Sequence, residues 1–439
     1  MARIVLTSFG SFGDLNPYIG LGLALKARGH TPVLAVPPIY REIVSAEGLE
    51  FHGVRPDLPI DDHDLTRRIM DPRKGTEVLF RELLLPGLQQ SHADLTEACK
   101  GAELLVTHPA TMAGPIVAAE RGGVWASSVL APMSFFSVTD PVVPPPAPWV
   151  YWLLARSPWL SRVFVSLTQR ITRPWAEPVL RFRESLGLPR AGNPILEGQH
   201  SPHLVLALFS RELARPQPDW PPNVAVTGPV LYNGAASPEL SDELERFLAA
   251  GPPPLVFTLG TSAVEAAGSF YEVSASAARH LGRRAVLLIG RHAHNRPAGI
   301  GDAALVLEYA PHATLFPRAA AIVHQGGAGT THQALASGRP TLIVPWAHDQ
   351  PDNAMRAARL GASRTLFPRR YTEANVVRDL GHLLGDARYA TRAAEVGSRV
   401  RGEHGAQAAC DAIERLLARA GGRKQELGTR NEEPGRGTS

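Results

Sequence analysis

The sequence is poor in cysteine, in long apolar runs and in charge of one sign. Cys99 and Cys410 are the only cysteines among 439 residues and lie far apart, which excludes a disulfide framework and a cysteine metal site and fits a reducing compartment. The longest strongly apolar stretch, 147–155, is about half of the ~18 residues of a membrane span. The first ten residues lack the features of a signal peptide. We therefore expect a cytoplasmic protein without stable membrane insertion.

The chain also lacks an excess of basic residues. Its 45 Lys and Arg against 41 Asp and Glu give a net charge of +4, and the basic residues are spread along the sequence. We expect no nucleic-acid partner. The hydrophobic fraction of 44% is that of an ordinary globular protein. With about 100–200 residues to a usual domain, the length predicts two domains.

The first half has the pattern of a doubly wound α/β domain. Its opening elements alternate; they are a strand at 3–6, a Gly-rich loop at 8–16, a helix at 17–28 and a strand at 31–36. Ligands of such a sheet bind beyond the carboxyl ends of its strands. We predict an N-terminal Rossmann-like domain at 1–230 and an interdomain linker at 231–252, because the proline cluster at 216–222 and the polar stretch at 233–241 lack helical or strand periodicity.

The second half repeats this architecture. Its predicted strands lie at 254–259, 284–289, 320–324 and 340–345. We predict a C-terminal Rossmann-like domain at 253–420, followed by a disordered tail at 421–439 that is rich in Gly, Arg and Glu. Two facing α/β domains leave an interdomain cleft, and such clefts are common small-molecule sites.

The strongest local signal is HQGGAGTT at 324–331, between an apolar strand and the start of a helix. Glycines let a backbone approach a phosphate closely, and the amides and dipole of a helix N-terminus attract its negative charge. The segment lacks the Gly-Lys-Ser/Thr ending of a Walker loop and the GxGxxG of a dinucleotide site. We interpret it as an anion-binding loop; the alternative, a tight structural turn, gives His324 no role.

With that segment, the chain resembles the nucleotide-sugar-dependent glycosyltransferases of the GT-B fold. The resemblance is to family 1, which contains bacterial natural-product, rhamnolipid and glycopeptide glycosyltransferases and the plant UDP-glucosyltransferases. Matching segments span almost the whole chain; they are GSFGDLNP at 10–17, KARGH at 26–30, VFTLGTS at 256–262, YAPH at 309–312, HQGGAGTT at 324–331 and PWAHDQ at 345–350, followed by Asn353 and Ala354. The Gly-Asp pair near the start is closer to the glycopeptide and rhamnolipid branch than to the plant branch.

The resemblance implies an enzyme with its donor in the C-terminal half and its acceptor in the N-terminal half. The implied reaction is an inverting, metal-independent transfer of a hexose from UDP-glucose or TDP-rhamnose. Its acceptor would be a hydroxyl of an apolar small molecule, such as a flavonoid, macrolide, sterol or lipid. The nucleotide sugar is a co-substrate, and no further cofactor is implied.

Asp14 matches the acidic position proposed as the general base in the glycopeptide enzymes, where it would take the proton of the acceptor hydroxyl. An Asp shortly before Pro17 is also typical of a helix cap or first-turn anchor, and both interpretations stay open. His108 follows a strand predicted at 103–107 and would help to orient the acceptor. A lone His in a loop is, however, more often structural.

Donor contacts are implied for the second half of the chain. The groups implied on the diphosphate are His324, the amides of Gly326, Gly327, Gly329 and Thr330, and Thr261 and Ser262 from the opposite loop. The groups implied on the base and the sugar are Tyr309, Ala310, His312, Asp349 and Gln350. Tyr309 would stack on the base and the acidic-Gln pair would bind sugar hydroxyls; a core tyrosine and a polar loop are the alternatives.

His332 bears on donor choice. Plant relatives carry a Glu at this position that accepts hydrogen bonds from the ribose hydroxyls. A site without that acceptor has less reason to reject the deoxyribose of thymidine. We therefore expect TDP-sugars to bind comparably to, or better than, UDP-glucose, and His332→Glu to shift the preference toward uridine.

Aromatic residues of the first half are candidates for an apolar acceptor pocket. Besides His108, the candidate acceptor contacts are Phe12, Phe135, Phe136, Trp149 and Trp152. A Trp-rich stripe is more often part of the core, which is the alternative. Asp62 and Asp64 imitate the Asp-x-Asp metal motif of the other glycosyltransferase fold and could bind a cation together with Asp57 and Asp61, but their Pro-flanked polar context predicts a solvated loop and no metal site.

Two other functions share parts of this pattern. A nucleotide-sugar 2-epimerase has the same two-domain fold but acts on the donor alone. A non-catalytic subunit would bind the sugar nucleotide without transferring the sugar. The presence of Asp14, His324 and Asp349 argues against this last function.

Overall fold

Two parallel β-sheets, one in each half of the chain, organise the fold. The computed structural model describes residues 1–58, 62–232, 234 and 239–430, with the backbone alone at 262 and 422–430. All the paired strands of both sheets run parallel. The α/β class predicted from the sequence is confirmed.

The first sheet contains seven strands. They are β1 (Arg3–Thr7), β2 (Thr31–Val36), β3 (Glu50–Gly53), β4 (Leu104–Thr107), β5 (Ala126–Val129), β6 (Val205–Ala207) and β7 (Val224–Val226). Their spatial order is β3-β2-β1-β4-β5-β6-β7, so the direction of winding reverses between β1 and β4.

The second sheet contains six strands. They are β8 (Leu255–Thr258), β9 (Ala285–Leu288), β10 (Ala304–Leu307), β11 (Ala321–His324), β12 (Thr341–Ile343) and β13 (Ser363–Thr365). Their order is β10-β9-β8-β11-β12-β13, and the winding reverses between β8 and β11.

Helices connect the strands and cover both sheets. They are α1 (Phe12–Ala27), α2 (Arg41–Ala46), α3 (His63–Ile69), α4 (Gly75–Val78), α5 (Leu88–Ala98), α6 (Gly114–Arg121), α7 (Tyr151–Leu154), α8 (Pro158–Ser185), α9 (Asp242–Ala249), α10 (Gly260–Ala263), α11 (Phe270–His280), α12 (His312–Leu315), α13 (Ala328–Ser337), α14 (Gln350–Arg359), α15 (Glu373–Gly385), α16 (Ala387–Arg401) and α17 (Gly405–Arg430).

Each sheet separates two hydrophobic cores. Successive side chains of a strand point to opposite faces, so Ile4 and Leu6 of β1 pack with α1 and α17, whereas Val5 packs with α5 and α6. In the second sheet, Phe257 of β8 packs in the core on one face and Val256 packs in the core on the opposite face. Burial on both faces explains why these strands are almost continuously apolar.

The last helix returns to the first half of the chain. Cys410 and Ile413 of α17 are fully buried in the core that α1 lines, and Arg28 pairs with Asp411 at 2.6 Å. The sequence predicts that the C-terminal domain ends at 420 and that a disordered tail follows at 421–439. The helix instead continues to Arg430, and residues 431–439 lie outside the described part of the chain.

Two predicted boundaries need correction. The helix predicted at 17–28 begins at Phe12 because Ser11 caps it, so Pro17 lies inside the helix. The interdomain linker predicted at 231–252 contains α9, whose Leu244 and Leu248 are buried against the second sheet. Ser241 caps α9, and an amphipathic helix with a cap belongs to the core that it covers.

Candidate active site

The residues singled out in the sequence lie where each sheet reverses its winding. Asp14 and His108 follow β1 and β4 of the first sheet. In the second sheet, Thr261 follows β8 and His324 ends β11. Doubly wound sheets bind their ligands in the crevice outside the strand ends at such reversals. The two halves therefore each contribute one potential ligand site.

The N-termini of α1 and α13 meet between the two sheets. A Cβ atom added to Gly329 would lie 3.5 Å from the Cα atom of Gly13, so the two backbones approach closely at this point. Asp14 is the next residue of α1. The first turn of α13 and the Asp14 carboxylate thus border one cleft.

Asp14 closes a capping box with Ser11 at the start of α1. Its Oδ2 accepts hydrogen bonds from the Ser11 amide at 2.9 Å and from Ser11 Oγ at 3.2 Å. The first-turn interpretation of Asp14 is confirmed, and its role as a general base stays a prediction. Because Oδ2 is used for the cap, Oδ1 is the oxygen left for other chemistry.

Burial raises the pKa of Asp14 to about 6, although the two hydrogen bonds from Ser11 act in the opposite direction. The side chain is still 35% exposed, and we attribute the raised pKa to a cleft wall that keeps most of the solvent away from the carboxylate. A carboxyl group that titrates close to neutral pH suits proton abstraction.

His108 lies directly beside Asp14. Its Nε2 is 3.6 Å from Asp14 Oδ1, slightly longer than a hydrogen bond, and its Nδ1 accepts the amide proton of Ala110 at 3.2 Å. Burial lowers the pKa of His108 to about 3. The ring is therefore neutral, carries its proton on Nε2, and points that N–H toward Asp14. The sequence predicted an acceptor contact here and did not predict this pairing.

His324 is fully buried at the end of β11. Its Nδ1 accepts the amide proton of Gly326 at 3.1 Å, and burial lowers its pKa to about 3. The neutral ring therefore carries its proton on Nε2, which has no hydrogen-bond partner among the described residues. An unpaired buried donor is costly, and an acceptor oxygen of a ligand would satisfy it.

The α13 N-terminus supplies further donors beside His324. Gly327 is the N-cap and no side chain caps the helix, so the amides of Ala328, Gly329 and Thr330 have no partner within it. Gly326 has φ +92°, and a Cβ atom there would lie 2.8 Å from Ile343 Cγ2. The segment thus has the form of the predicted anion-binding loop, with exposed amides at a positive helix end.

Asp349 is connected to this loop through Asn353. Asn353 Nδ2 donates to Asp349 Oδ2 at 2.7 Å and to the Gly326 carbonyl at 2.9 Å. Gln350 Oε1 accepts the amide proton of Trp346 at 2.8 Å, so its oxygen organises the loop and only its NH₂ group is left for a sugar. Asn353 has no predicted role, although its position four residues after Asp349 in a helix is a usable signal.

The two acidic groups of the cleft influence each other. The pKa of Asp349 is raised to about 7, mainly by burial and then by the charge of Asp14. An interaction of this kind requires the two carboxylates to be near one another across the cleft. The proposed acceptor base and the proposed sugar contact therefore share one site.

Tyr309 is 65% exposed, so the alternative of a core tyrosine is wrong. Its ring centroid lies 6.0 Å from that of His312, and His312 stacks on Phe316 at 4.3 Å. Ala310 is buried and Thr261 is exposed on α10. The side chain of Ser262 lies outside the described part of the chain.

His332 packs between the two halves of the chain. It is buried, its Nε2 accepts the amide proton of Ser210 at 3.2 Å, and a hydrogen bond joins the ring to the Ala328 backbone. Both ring nitrogens are thus engaged, one of them by the other half of the chain. The predicted donor contact of His332 needs correction, because packing between the halves fixes this side chain.

The predicted acceptor contacts divide into two groups. Phe135 is buried and lies 4.2 Å from the ring of Trp220, so its assignment to a pocket is wrong and it belongs to the core. Phe12 is 37% exposed and lies 5.5 Å from the Tyr40 ring, close to Asp14 in the sequence. Phe136 is half-buried.

Trp149 and Trp152 are exposed, at 68% and 53%. The alternative that they belong to the hydrophobic core is therefore wrong. Their assignment to an acceptor pocket stays a prediction. The contrast with Phe135 shows that aromatic content alone does not separate pocket from core.

Comparison with known proteins decides the family. Residues 277–415 match the family described as "Erythromycin biosynthesis protein CIII-like, C-terminal domain". An O-mycaminosyltylonolide 6-deoxyallosyltransferase from Streptomyces fradiae is 31% identical over 443 residues, which cover 94% of this chain and 97% of the relative. The chain belongs to the family 1 glycosyltransferases. The predicted enzyme class is confirmed.

Solved structures confirm the GT-B fold of this glycosyltransferase. The glycosyltransferase of kitacinnamycin has a TM-score of 0.73 at 21% identity and covers 95% of this chain and 99% of its own. A spinosyn rhamnosyltransferase complexed with thymidine diphosphate has a TM-score of 0.63 at 19% identity, with coverages of 92% and 96%.

The described acidic residues of the motif in the glycosyltransferase, Asp62 and Asp64, lie at the start of α3. Asp62 Oδ1 accepts the amide proton of Leu65 and caps α3, His63 pairs with Glu265 at 3.1 Å, and Asp61 lies outside the described residues. Within the part of the chain that the structure describes, no three His, Cys, Asp or Glu side chains are grouped as metal ligands. Among the same residues, no helix combines the length and apolarity that a bilayer crossing requires.

Proposed function

We propose that this glycosyltransferase inverts the configuration of a hexose as it moves it from a nucleotide diphosphate to a hydroxyl of an apolar natural product, without a metal ion. The observation that carries the proposal is the approach of the two helix N-termini. The backbone of Gly13, the neighbour of Asp14, approaches that of Gly329 in the anion-binding loop so closely that a Cβ atom added to Gly329 would lie 3.5 Å from Gly13 Cα. A base and a phosphate site thus border the same cleft, as a single displacement requires.

The anion-binding loop would stabilise the departing diphosphate. His324 offers Nε2–H and α13 offers its first amides. Donors that are fixed before the reaction stabilise developing negative charge without reorganisation. These groups together would replace the cation that a phosphate leaving group otherwise needs.

Asp14 would accept the proton of the acceptor hydroxyl. The oxygen of that hydroxyl forms the new bond to the anomeric carbon, the bond from that carbon to the diphosphate oxygen breaks, and the proton moves to Asp14. The cap holds Oδ2 and His108 Nε2–H lies near Oδ1, which keeps the carboxylate oriented. Attack opposite the leaving group inverts the anomeric centre.

Asp349 would bind the sugar. An ionised carboxylate accepts hydrogen bonds from two hydroxyls, and Asn353 holds this one beside the diphosphate loop. With its pKa near 7, Asp349 ionises in the same range as Asp14. Donor binding and proton abstraction would therefore both be stronger at the upper end of the pH range between these two pKa values.

A thymidine diphospho sugar and a macrolide-like acceptor are the favoured substrates. The solved spinosyn rhamnosyltransferase holds thymidine diphosphate. The Streptomyces fradiae relative is named for O-mycaminosyltylonolide. Exposed Phe12 beside Tyr40 would offer an apolar contact near Asp14 to such an acceptor.

The test is a matrix of TDP- and UDP-hexoses against hydroxyl-bearing apolar acceptors, with products detected by mass spectrometry. The expected result is a glycosylated acceptor with TDP-hexoses used at least as well as UDP-glucose. A donor that is converted to its epimer with no acceptor present would instead assign the protein as a 2-epimerase. Binding of donor without any conversion across the matrix would favour a non-catalytic subunit.

A further inference from the structure

Helices α7 and α8, with the turn that precedes α7, present an exposed surface of which only Trp149 and Trp152 are candidate acceptor contacts. We call it the Trp–Arg face; it consists of Trp149, Trp152, Leu153, Trp159, Val163, Leu167 and Ile171, with Arg156, Arg162, Arg170 and Arg173. Every one of these side chains is exposed, and Trp159 is 66% exposed. Apolar residues grouped in this way on a surface mark an interaction site.

The apolar members form a continuous row. Trp159 and Val163, followed by Leu167 and Ile171, succeed one another at four-residue steps, which places them on one side of α8. With a rise of ~1.5 Å per residue, the row is about 18 Å long. A row of that length is too long for the pocket of a single small molecule, and it fits an extended surface.

The opposite side of α8 is anchored in the protein. Thr172, Ala176 and Val179 are buried, and Val179 is part of the core between α5 and α6. The helix therefore cannot rotate to bury the apolar row without leaving that core. The row faces outward as part of the fold.

The charge around the row is all of one sign. Residues 141–176 contain four arginines and neither Asp nor Glu. Within the described part of the chain, Arg162, Arg170 and Arg173 form no ion pair. Exposed arginines on a row parallel to exposed Trp and Leu make this an amphipathic basic surface, although the net charge of the whole chain is small.

We propose that the Trp–Arg face docks on a lipid bilayer that carries anionic headgroups. Tryptophan is favoured at the level of the headgroups, and a basic amphipathic helix lies in that plane with its apolar side buried by ~5–10 Å. A second copy of the chain would bring arginines against arginines, whereas an anionic surface complements them. Docking of this kind is peripheral, and it does not depend on the proposed reaction.

The test is co-sedimentation of the full chain with vesicles of phosphatidylcholine alone or mixed with phosphatidylglycerol. The protein is expected to bind the mixed vesicles, to release at high salt because screening weakens the attraction, and to bind pure phosphatidylcholine weakly. Contact is read independently as quenching of tryptophan emission by brominated lipid.

Two variants and a matched control locate the contact. Arg162→Gln/Arg170→Gln is expected to lose affinity by about fivefold per arginine, and Trp159→Ser/Leu167→Ser to lose binding and part of the quenching. Arg369→Gln/Arg370→Gln removes the same charge from exposed residues elsewhere and is expected to lose less. Thermal melting of all three confirms that they fold.

Three outcomes would overturn the proposal. One is a wild type that does not bind the mixed vesicles. Another is an equal loss of affinity in both arginine double variants, which would show only a general charge effect. The third is a wild-type dimer that Trp159→Ser/Leu167→Ser converts to monomer without any vesicle binding, which would assign the face to a second copy.

Discussion

Asp14 uses its two carboxylate oxygens for different purposes. Oδ2 starts α1 by closing the capping box with Ser11, and Oδ1 is left near His108 in the cleft. Because the cap fixes Oδ2, it also fixes the direction of Oδ1. The capping box that begins α1 therefore also positions the candidate base. The cap and the base were alternatives in the sequence, and this geometry makes them compatible.

At the residue scale, Asp14→Asn separates these two purposes. The amide oxygen of asparagine can still accept the Ser11 amide proton that closes the capping box, so folding should change little, whereas loss of a general base should lower kcat by ~100- to 10,000-fold. Calorimetry with TDP should give nearly unchanged affinity. Ser11→Ala is the control, because it weakens the cap but keeps the carboxylate. A folded Asp14→Asn protein with wild-type turnover would remove Asp14 from the mechanism.

The same carboxylates set a pH dependence. A general base acts when it is ionised, and the pKa values of Asp14 and Asp349 are raised to about 6 and about 7. We expect kcat/KM for the acceptor to fall as pH decreases through that range and to level off above it. Because the two carboxyl groups interact, the decrease of kcat/KM with falling pH reports the titration of the pair and not of either group alone. A profile that stays flat down to pH values near the ordinary Asp pKa of about 4 would contradict this.

His324 gives a binding prediction at the same scale. His324→Ala removes the unpaired Nε2–H donor, and we expect weaker TDP binding together with slower turnover because ground state and leaving group use the same contact. His382→Ala, an exposed His on α15, is the matched control. Unchanged TDP affinity in calorimetry would show that the His324 ring only packs at the end of its strand.

At the element scale, the anion-binding loop depends on its backbone. A side chain at Gly326 would meet Ile343 and would adopt an unfavourable positive φ, so the loop must shift to admit it. The amides of α13 would converge on an anion only when this loop has the observed conformation. The loop and the helix therefore act as one element.

Gly326→Ala tests this dependence. We expect weaker TDP binding and a lower Tm. Gly381→Ala is the matched control, since it lies in α15 with no atom near its added Cβ and should be neutral or stabilising by ~0.5–1 kcal/mol. A Gly326→Ala protein with wild-type affinity for TDP would show that the loop tolerates a side chain and that its glycine is not a phosphate-binding feature.

Most elements could be predicted from the sequence because buried parallel strands and capped helices leave local signals. The strand at 31–36 was predicted with its observed bounds. The predicted helix start at Pro17 is five residues too late, because Ser11 and Asp14 have capping-box spacing and begin α1 at Phe12. Contacts between residues far apart in the sequence could not be predicted. Phe135 beside Trp220 and His332 on the Ser210 amide depend on tertiary packing that no local pattern encodes.

At the scale of the whole molecule, ion pairs connect the two halves. Arg356 of α14 is buried and pairs with Asp352 at 2.6 Å and with Asp140 from the first half. Arg359 also reaches Asp140, at 3.2 Å. These pairs therefore connect α14 of the second half to Asp140 of the first half.

Asp140→Asn should weaken this connection. Removing one partner of a buried ion pair costs about 3–5 kcal/mol, and because Arg356 keeps Asp352 we expect a smaller loss and a lower apparent Tm in calorimetry. Asp411→Asn is the control, since Asp411 pairs with Arg28 at the surface and such pairs contribute about 0–1 kcal/mol. Equal melting temperatures for the two variants would contradict a structural role for the buried pair.

The central claim is that Asp14 and the anion-binding loop perform a single displacement in one cleft. The most direct test is the anomeric configuration of the product, read by proton NMR from a reaction of wild-type protein with a TDP-hexose and its acceptor. The account predicts one glycoside with a configuration opposite to that of the donor. A product that keeps the configuration of the donor would require a second displacement and would contradict it.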